Sequence, residues 1–219
     1  MGASQSGQPH EFQHLSDKTG FSIEQIKNLH NRFEYLTQDE GTLRREHLEN
    51  IENLALNPIR KKIIEAFFDK RNLGQEGEGY LDEIGFEEFL TILAFFTPSK
   101  QRTGEDDKQK TRKEKLRFLF NMHDTDNDGF ITLDEYRHVV EKLLSSNETI
   151  EIETAKAIAD AAMLEVASVT VGRMGPDEFY EGVTFEHFMQ ILKGLEIETT
   201  MNINFWNLDS TAFQCGKSK

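Results

Sequence analysis

The sequence predicts an all-α protein of four helix–loop–helix units arranged as two paired lobes. Three observations lead there. Amphipathic stretches with apolar residues three and four apart recur along the chain. Helix-breaking residues are sparse, with 4 Pro and 15 Gly in 219 residues. The second half repeats the layout of the first.

Taken in order, residues 1 to about 18 read as a loose arm, and the N-lobe runs over 19–96. Ser22 is a fair N-cap for a helix carrying Ile23, Ile26, Leu29 and Phe33. A loop at Gln38–Thr42 leads to Leu43 and a short helical stretch ending at Leu54. Asn57-Pro58 marks a break, and Pro58 suits the first turn of the next helix, which carries Ile59, Ile63, Ile64, Phe67 and Phe68. The Gly-rich stretch Asn72–Gly79 is a loop, and Phe86, Phe89, Leu90 and Leu93 mark the helix after it. Residues 97–113 are polar, contain Pro98 and Gly104, and read as a charged linker. The C-lobe, 114–195, repeats the pattern through Leu116, Leu119 and Phe120, then Tyr136, Val139 and Val140, then Ile158, Met163 and Val166, then Phe185, Phe188 and Met189. The tail, 196–219, alternates apolar residues through Met201, Ile203, Phe205 and Trp206.

Composition narrows the function. Apolar residues form 37% of the chain, enough to bury a core. The net charge of −14 argues against nucleic acid, whose phosphates need clustered Lys and Arg. It suits cations and basic or amphipathic partners instead. The single cysteine, Cys215, excludes a disulfide within the chain and fits a reducing compartment. The most apolar stretch, Phe89 to Phe96, is far below the roughly 20 residues that span a bilayer, so an intracellular soluble protein is expected. No nucleophile elbow, phosphate-cradling glycine loop or HExxH motif is present, so an enzyme is not expected.

One segment carries chemistry. Residues 124–135, Asp-Thr-Asp-Asn-Asp-Gly-Phe-Ile-Thr-Leu-Asp-Glu, match a 12-residue calcium-binding EF-hand loop at each constrained position. Asp124, Asp126 and Asp128 hold positions 1, 3 and 5 and offer side-chain oxygens. Gly129 allows the sharp turn at position 6, and Phe130 offers its carbonyl at position 7. Thr132 at position 9 contributes directly or through water, and Glu135 at position 12 can bind through both oxygens. Four carboxylates in one short turn would repel without an ion. One calcium site is therefore expected, with magnesium as a competitor.

The other three units lack such ligands. His47 and His187 stand where a terminal Glu belongs in the first and fourth, and neither has carboxylate partners. In the second, Ile84 and Glu88 hold positions 8 and 12, but Asp69 to Glu88 is too long for a binding loop. All four keep an apolar residue at position 8: Leu43, Ile84, Ile131 and Val183. These are expected to join paired loops by short two-stranded β ladders, with the ion-poor units as scaffold. A Phe-rich pair of such units suits an apolar helix in a groove, with Phe67, Phe89, Leu90, Leu93, Phe95, Phe96 and Phe120 as candidate lining. The start Met1-Gly2-Ala3-Ser4-Gln5-Ser6 fits N-myristoylation at Gly2, which gives reversible membrane binding.

The Met1-Gly2 start, the single intact loop among four, Leu56-Asn57-Pro58-Ile59, Ala66-Phe67-Phe68 and the stretch from Arg112 to Phe120 resemble the calcineurin B homologous proteins from Gly20 to about Leu208. The resemblance implies a myristoylated, calcium-binding regulatory subunit. Its partner would be an amphipathic juxtamembrane helix in the cytoplasmic tail of a plasma-membrane sodium/proton exchanger, whose maturation, surface stability and activity it would promote. It also implies alternatives: inhibition of the phosphatase calcineurin through likeness to its regulatory subunit, or a myristoylated calcium sensor for another target. Cytoplasm, the cytoplasmic face of the plasma membrane and the nucleus are the implied locations.

Overall fold

The computed structural model describes residues 8–96, 105–144, 150–172 and 180–197. Gly2, Cys215, Phe205 and Trp206 lie outside the described residues. The fold is mostly helical with two small antiparallel sheets.

The N-lobe begins with α1, Gln8–Thr19. Over residues 8–18 this takes the place of the loose arm expected for 1–18; residues 1–7 lie outside the described residues. Phe12 and Leu15 stand three residues apart, share a helix face, and are both buried. They pack α1 onto α2, Ile23–Thr37, and α6, Phe86–Phe95. The Phe12 ring lies 6.0 Å from His30, and Lys18 pairs with Glu87 at 2.8 Å.

Ser22 caps α2 as expected. Its hydroxyl accepts from Gln25 N at 3.2 Å, and the Gln25 side chain accepts from Ser22 N at 2.9 Å, a reciprocal capping box. Ser22→Ala is expected to cost about 1 kcal/mol. Urea denaturation measures it, and an unchanged midpoint would mean the cap contributes nothing here. The buried stripe of α2 is Ile26, Leu29 and Phe33.

Short helices α3, Arg45–Glu49, and α4, Glu52–Ala55, lead to α5, Arg60–Phe68. Pro58 sits just ahead of α5 rather than in its first turn, since Ile59 is the N-cap. A 3-10 turn, Lys70–Leu73, follows. Strands β1, Leu43–Arg44, and β2, Glu83–Ile84, pair with Leu43 opposite Ile84.

The second lobe contains α7, Glu105–His123; β3, Phe130–Ile131; α8, Leu133–Leu144; α9, Ile152–Thr170; β4, Val183–Thr184; and α10, Phe185–Ile191. Ile131 faces Val183 across the β3–β4 ladder. All four position-8 residues are thus paired and buried. Gly182 is required at this junction: a Cβ there would lie 2.6 Å from the Ile131 carbonyl oxygen.

The linker is shorter than 97–113, because 105–113 belong to α7. No Pro or Gly interrupts residues 105–123, and the Lys, Arg and Glu among them are good helix formers. Arg112 also ties this turn down, donating to the carbonyls of Leu192 and Leu195 at 2.6 and 2.8 Å. The two lobes share one continuous core running from Phe12 to Ile197. Phe118 of α7 stacks on Phe95 at 4.8 Å and meets Phe96 edge-on at 5.1 Å. Among the described residues, no helix is long and apolar enough to cross a membrane.

Candidate metal centre

Helix α7 delivers Asp124 at its C-terminal end, where the Asp124 amide donates to Phe120 O at 2.9 Å. The chain then coils tightly. Asp128 N donates to Asp126 Oδ1 at 3.2 Å, and Phe130 N donates to Asp128 Oδ1 at 2.8 Å. Gly129 has φ +89°, a backbone state that side chains disfavour. The result brings Asp124, Asp126 and Asp128 together, one oxygen from each within 4.8 Å of the others.

Glu135 closes the loop from the first turn of α8. Its Oε1 accepts from the amide and hydroxyl of Thr125, both at 2.6 Å. Its Oε2 accepts from the amide and hydroxyl of Thr132, both at 3.0 Å. Burial pushes the Glu135 carboxyl up, but these donors outweigh it and hold it below the usual carboxylate range. Asp124 behaves oppositely. Burial raises its carboxyl, Arg71 pulls it down, Glu135 and Asp128 push it up, and the net shift is upward. Just before it, His123 is kept neutral, pushed down to about 4 by burial and then by Lys62.

The residues fit a hard dication. Asp124 is 2% exposed, and its Oδ1 is buried without a hydrogen-bond partner. An unpaired buried carboxylate oxygen is costly, and a cation at the convergence of the three Asp side chains would satisfy it. Asp124, Asp126, Asp128 and Glu135 could supply charged oxygens, with the Phe130 carbonyl and Thr132 completing the set.

The equivalent residues in the other three units make different contacts. His47 Nδ1 accepts from Arg44 N at 3.1 Å, and Glu88 Oε2 accepts from Gly85 N at 3.1 Å. Both cap the helix that follows, as Glu135 Oε2 does for α8. His187 lies beside Tyr180 in the fourth unit, ring centroids 6.4 Å apart, with no acid cluster around it among the described residues.

Sequence reasoning missed Arg71. From the second unit its guanidinium reaches Asp124 Oδ2 at 3.1 Å, Asn127 Oδ1 at 2.9 Å and the Asp124 carbonyl at 2.8 Å. The partial signal is positional: Asp69 and Asp124 each follow directly on a helix, so Arg71 stands in the second loop where Asp126 stands in the 124–135 loop, although nothing there marks its reach to Asp124.

The structure places most of the candidate groove residues in the interior. Phe67, Phe89, Leu90, Leu93 and Phe120 are interior, none more than 2% exposed. Among the described residues they line no open trough, because α6 is apolar around most of its circumference and packs against α1, α2, α5 and α7. Only Phe95 and Phe96 of the seven are partly exposed.

Comparison with known proteins agrees with this geometry. The EF hand domain model matches residues 115–143, the 124–135 loop with flanking helical residues. Calcineurin B homologous protein 3 of Xenopus tropicalis is 57% identical over 200 residues, covering 91% of this chain and 94% of the frog protein. The Homo sapiens protein of that name is 52% identical over 212 residues, covering 97% of this chain and 99% of its own length. The chain belongs to the calcineurin B homologous proteins. Members of this calcium-binding EF-hand family are regulatory proteins by class rather than enzymes. The calcineurin B subunit of Naegleria gruberi is a more remote relative, 28% identical over 206 residues, covering 93% of this chain and 99% of its own.

Proposed function

We propose that the protein is a one-site calcium-responsive regulatory subunit that grips an amphipathic helix of a target protein. One observation carries this reading. Of four paired loops, a single one gathers carboxylates around an unsatisfied buried oxygen among the described residues, and the other three persist as packed scaffold. A buffer would gain nothing from three silent loops, whereas a grip needs both lobes. Asp124, Asp126, Asp128, Phe130, Thr132 and Glu135 hold the ion. Magnesium competes for these oxygens, and calcium affinity falls in the sensor range, roughly 10⁻⁷–10⁻⁵ M.

The target is the cytoplasmic juxtamembrane helix of a plasma-membrane sodium/proton exchanger, whose maturation, surface stability and activity the protein promotes, and with them intracellular pH regulation. The charge of −14 favours a basic helix. The helix enters at the partly exposed Phe95 and Phe96 and parts α6 from α7, so that Phe89, Leu90, Leu93, Phe67 and Phe120 become its lining. An immobilised peptide of that exchanger segment should retain the protein, more strongly in calcium than in chelator or the reverse. No retention in either condition rejects the exchanger as target.

The likeness to a calcineurin B subunit favours a second reading, competition for the calcineurin catalytic subunit. Inhibition of calcineurin phosphatase activity by the purified protein tests it, and undiminished activity at excess protein rejects it.

An acyl chain on Gly2 would place the protein at the cytoplasmic face of the plasma membrane. Gly2→Ala should shift it to the cytosolic and nuclear fractions, because the variant lacks the N-terminal glycine that carries the acyl chain and so loses its membrane affinity of about 10⁴ M⁻¹. Equal membrane fractions for both forms would reject the anchor.

A further inference from the structure

We propose that Arg71 is the built-in cation of the second loop and that, from across the lobe boundary, it limits the calcium affinity of the third. The inference rests on the third loop being the calcium site.

In the second unit Asp69 occupies the place that Asp124 holds in the live loop, directly after the incoming helix. Asp69 is nearly inaccessible, and among the described residues it belongs to no cluster of three or more potential metal ligands. Its countercharge is Arg71. The guanidinium binds both Asp69 oxygens, Nε at 3.1 Å from each and Nη2 at 2.7 Å from Oδ2. The Arg71 amide donates to Asp69 Oδ1 at 2.9 Å. A side chain thus takes the role of an ion in this loop.

The same guanidinium does not stop there. Nη1 holds Asp124 Oδ2 at 3.1 Å and Asn127 Oδ1 at 2.9 Å. Nη2 holds the carbonyls of Asn121 and Asp124 at 3.0 and 2.8 Å. Beside it, Asn121 Nδ2 donates to Asn72 Oδ1 at 3.0 Å, a buried polar contact between the lobes. Asp124 therefore has one oxygen on Arg71 and the other, Oδ1, unpartnered.

Two effects follow with opposite signs. The guanidinium fixes Asp124 and the loop backbone, which favours binding by pre-organisation. It also places a fixed positive charge on a ligand carboxylate, which opposes a dication. The Arg71 side chain is 17% exposed and the two Asp side chains 4% and 3%, so screening by water is weak. Charge wins, and Asp69 moderates it by neutralising part of the guanidinium.

Calorimetric calcium titration of the full chain separates charge from mere support. Arg71→Met removes the positive charge and uncovers Asp69, and should tighten calcium binding on the order of tenfold. Asp69→Asn leaves Arg71 unbalanced, and should weaken binding on the order of tenfold. The double variant, neutral at both positions, should return to within about threefold of wild type. If Arg71 were only a strut, both single variants would loosen the loop and both would weaken binding. An Arg71→Met protein that binds calcium no more tightly than wild type overturns the proposal. If that variant fails to fold, Arg71→Gln, which keeps donors without charge, carries the same expectation and overturns the proposal on the same result. A wild-type protein with no calcium heat would reject the site itself. A wild type that binds calcium, beside a weakened Arg71→Met, would reject the role of Arg71 alone.

Discussion

Asp124→Ala is expected to abolish the calcium heat of the full-length protein. Asp124 is the buried member of the cluster, and its Oδ1 is the oxygen with no protein partner. Removing it takes away one of four charged ligands. Among EF-hand loops, ligand charge separates sensors from weak extracellular modules, a difference on the order of a thousandfold in affinity. The deletion also leaves the Arg71 guanidinium facing the site with less to neutralise it. Both effects act in one direction, so binding should vanish at micromolar calcium. The protein should still fold without calcium, because Arg71 keeps Asp69 as a partner and the shared core does not involve the Asp124 side chain. A retained calcium heat would mean that another loop is occupied. A collapsed far-ultraviolet dichroism spectrum without calcium would mean that Asp124 is a folding residue before it is a ligand.

The 124–135 loop was legible in the sequence because its chemistry is local. Twelve consecutive residues carry the carboxylates, the turn glycine and the closing glutamate, and every hydrogen bond that coils and closes them, from two to ten residues apart, stays within the loop. The β ladders were legible for a related reason: position 8 is a fixed offset within each loop, so Leu43 with Ile84 and Ile131 with Val183 could be paired by counting.

What escaped depends on distance along the chain. Arg71 and Asp124 are 53 residues apart, and nothing local to Arg71 announces that its guanidinium will cross to the other lobe. Helix α1 escaped because its apolar content is slight. Phe12 and Leu15 suffice only because α2 and α6 stand ready to cover them. Without that surface a 12-residue segment would be a marginal helix. The start of α7 escaped because Pro98 and Gly104 suggest a break across the whole charged stretch, whereas a proline restricts only its immediate neighbours.

The groove residues show a different limit. Periodicity marks Phe67, Phe89, Leu90 and Leu93 as buried-face residues, but it does not distinguish a face buried by the chain itself from one buried by a partner. Phe89 makes the distinction measurable. Its ring lies 5.4 Å from Phe33, 6.2 Å from Phe67 and 6.4 Å from Phe86, and no part of the side chain reaches solvent. Phe89→Ala should therefore cost about 3–5 kcal/mol of stability, the loss of burial plus the cavity left behind. That is a large share of the roughly 5–15 kcal/mol that holds a domain together. Leu164→Ala on the outer face of α9, where the side chain is 72% exposed, should stay within about 0.5 kcal/mol and serves as the control. Chemical denaturation of both variants without a partner decides the matter. A cost below about 1 kcal/mol for Phe89→Ala would mean that the α6 face is already open in the free protein. A full cost means that a target helix must work against this packing to enter, and Phe95 and Phe96, being partly exposed, are where it can begin.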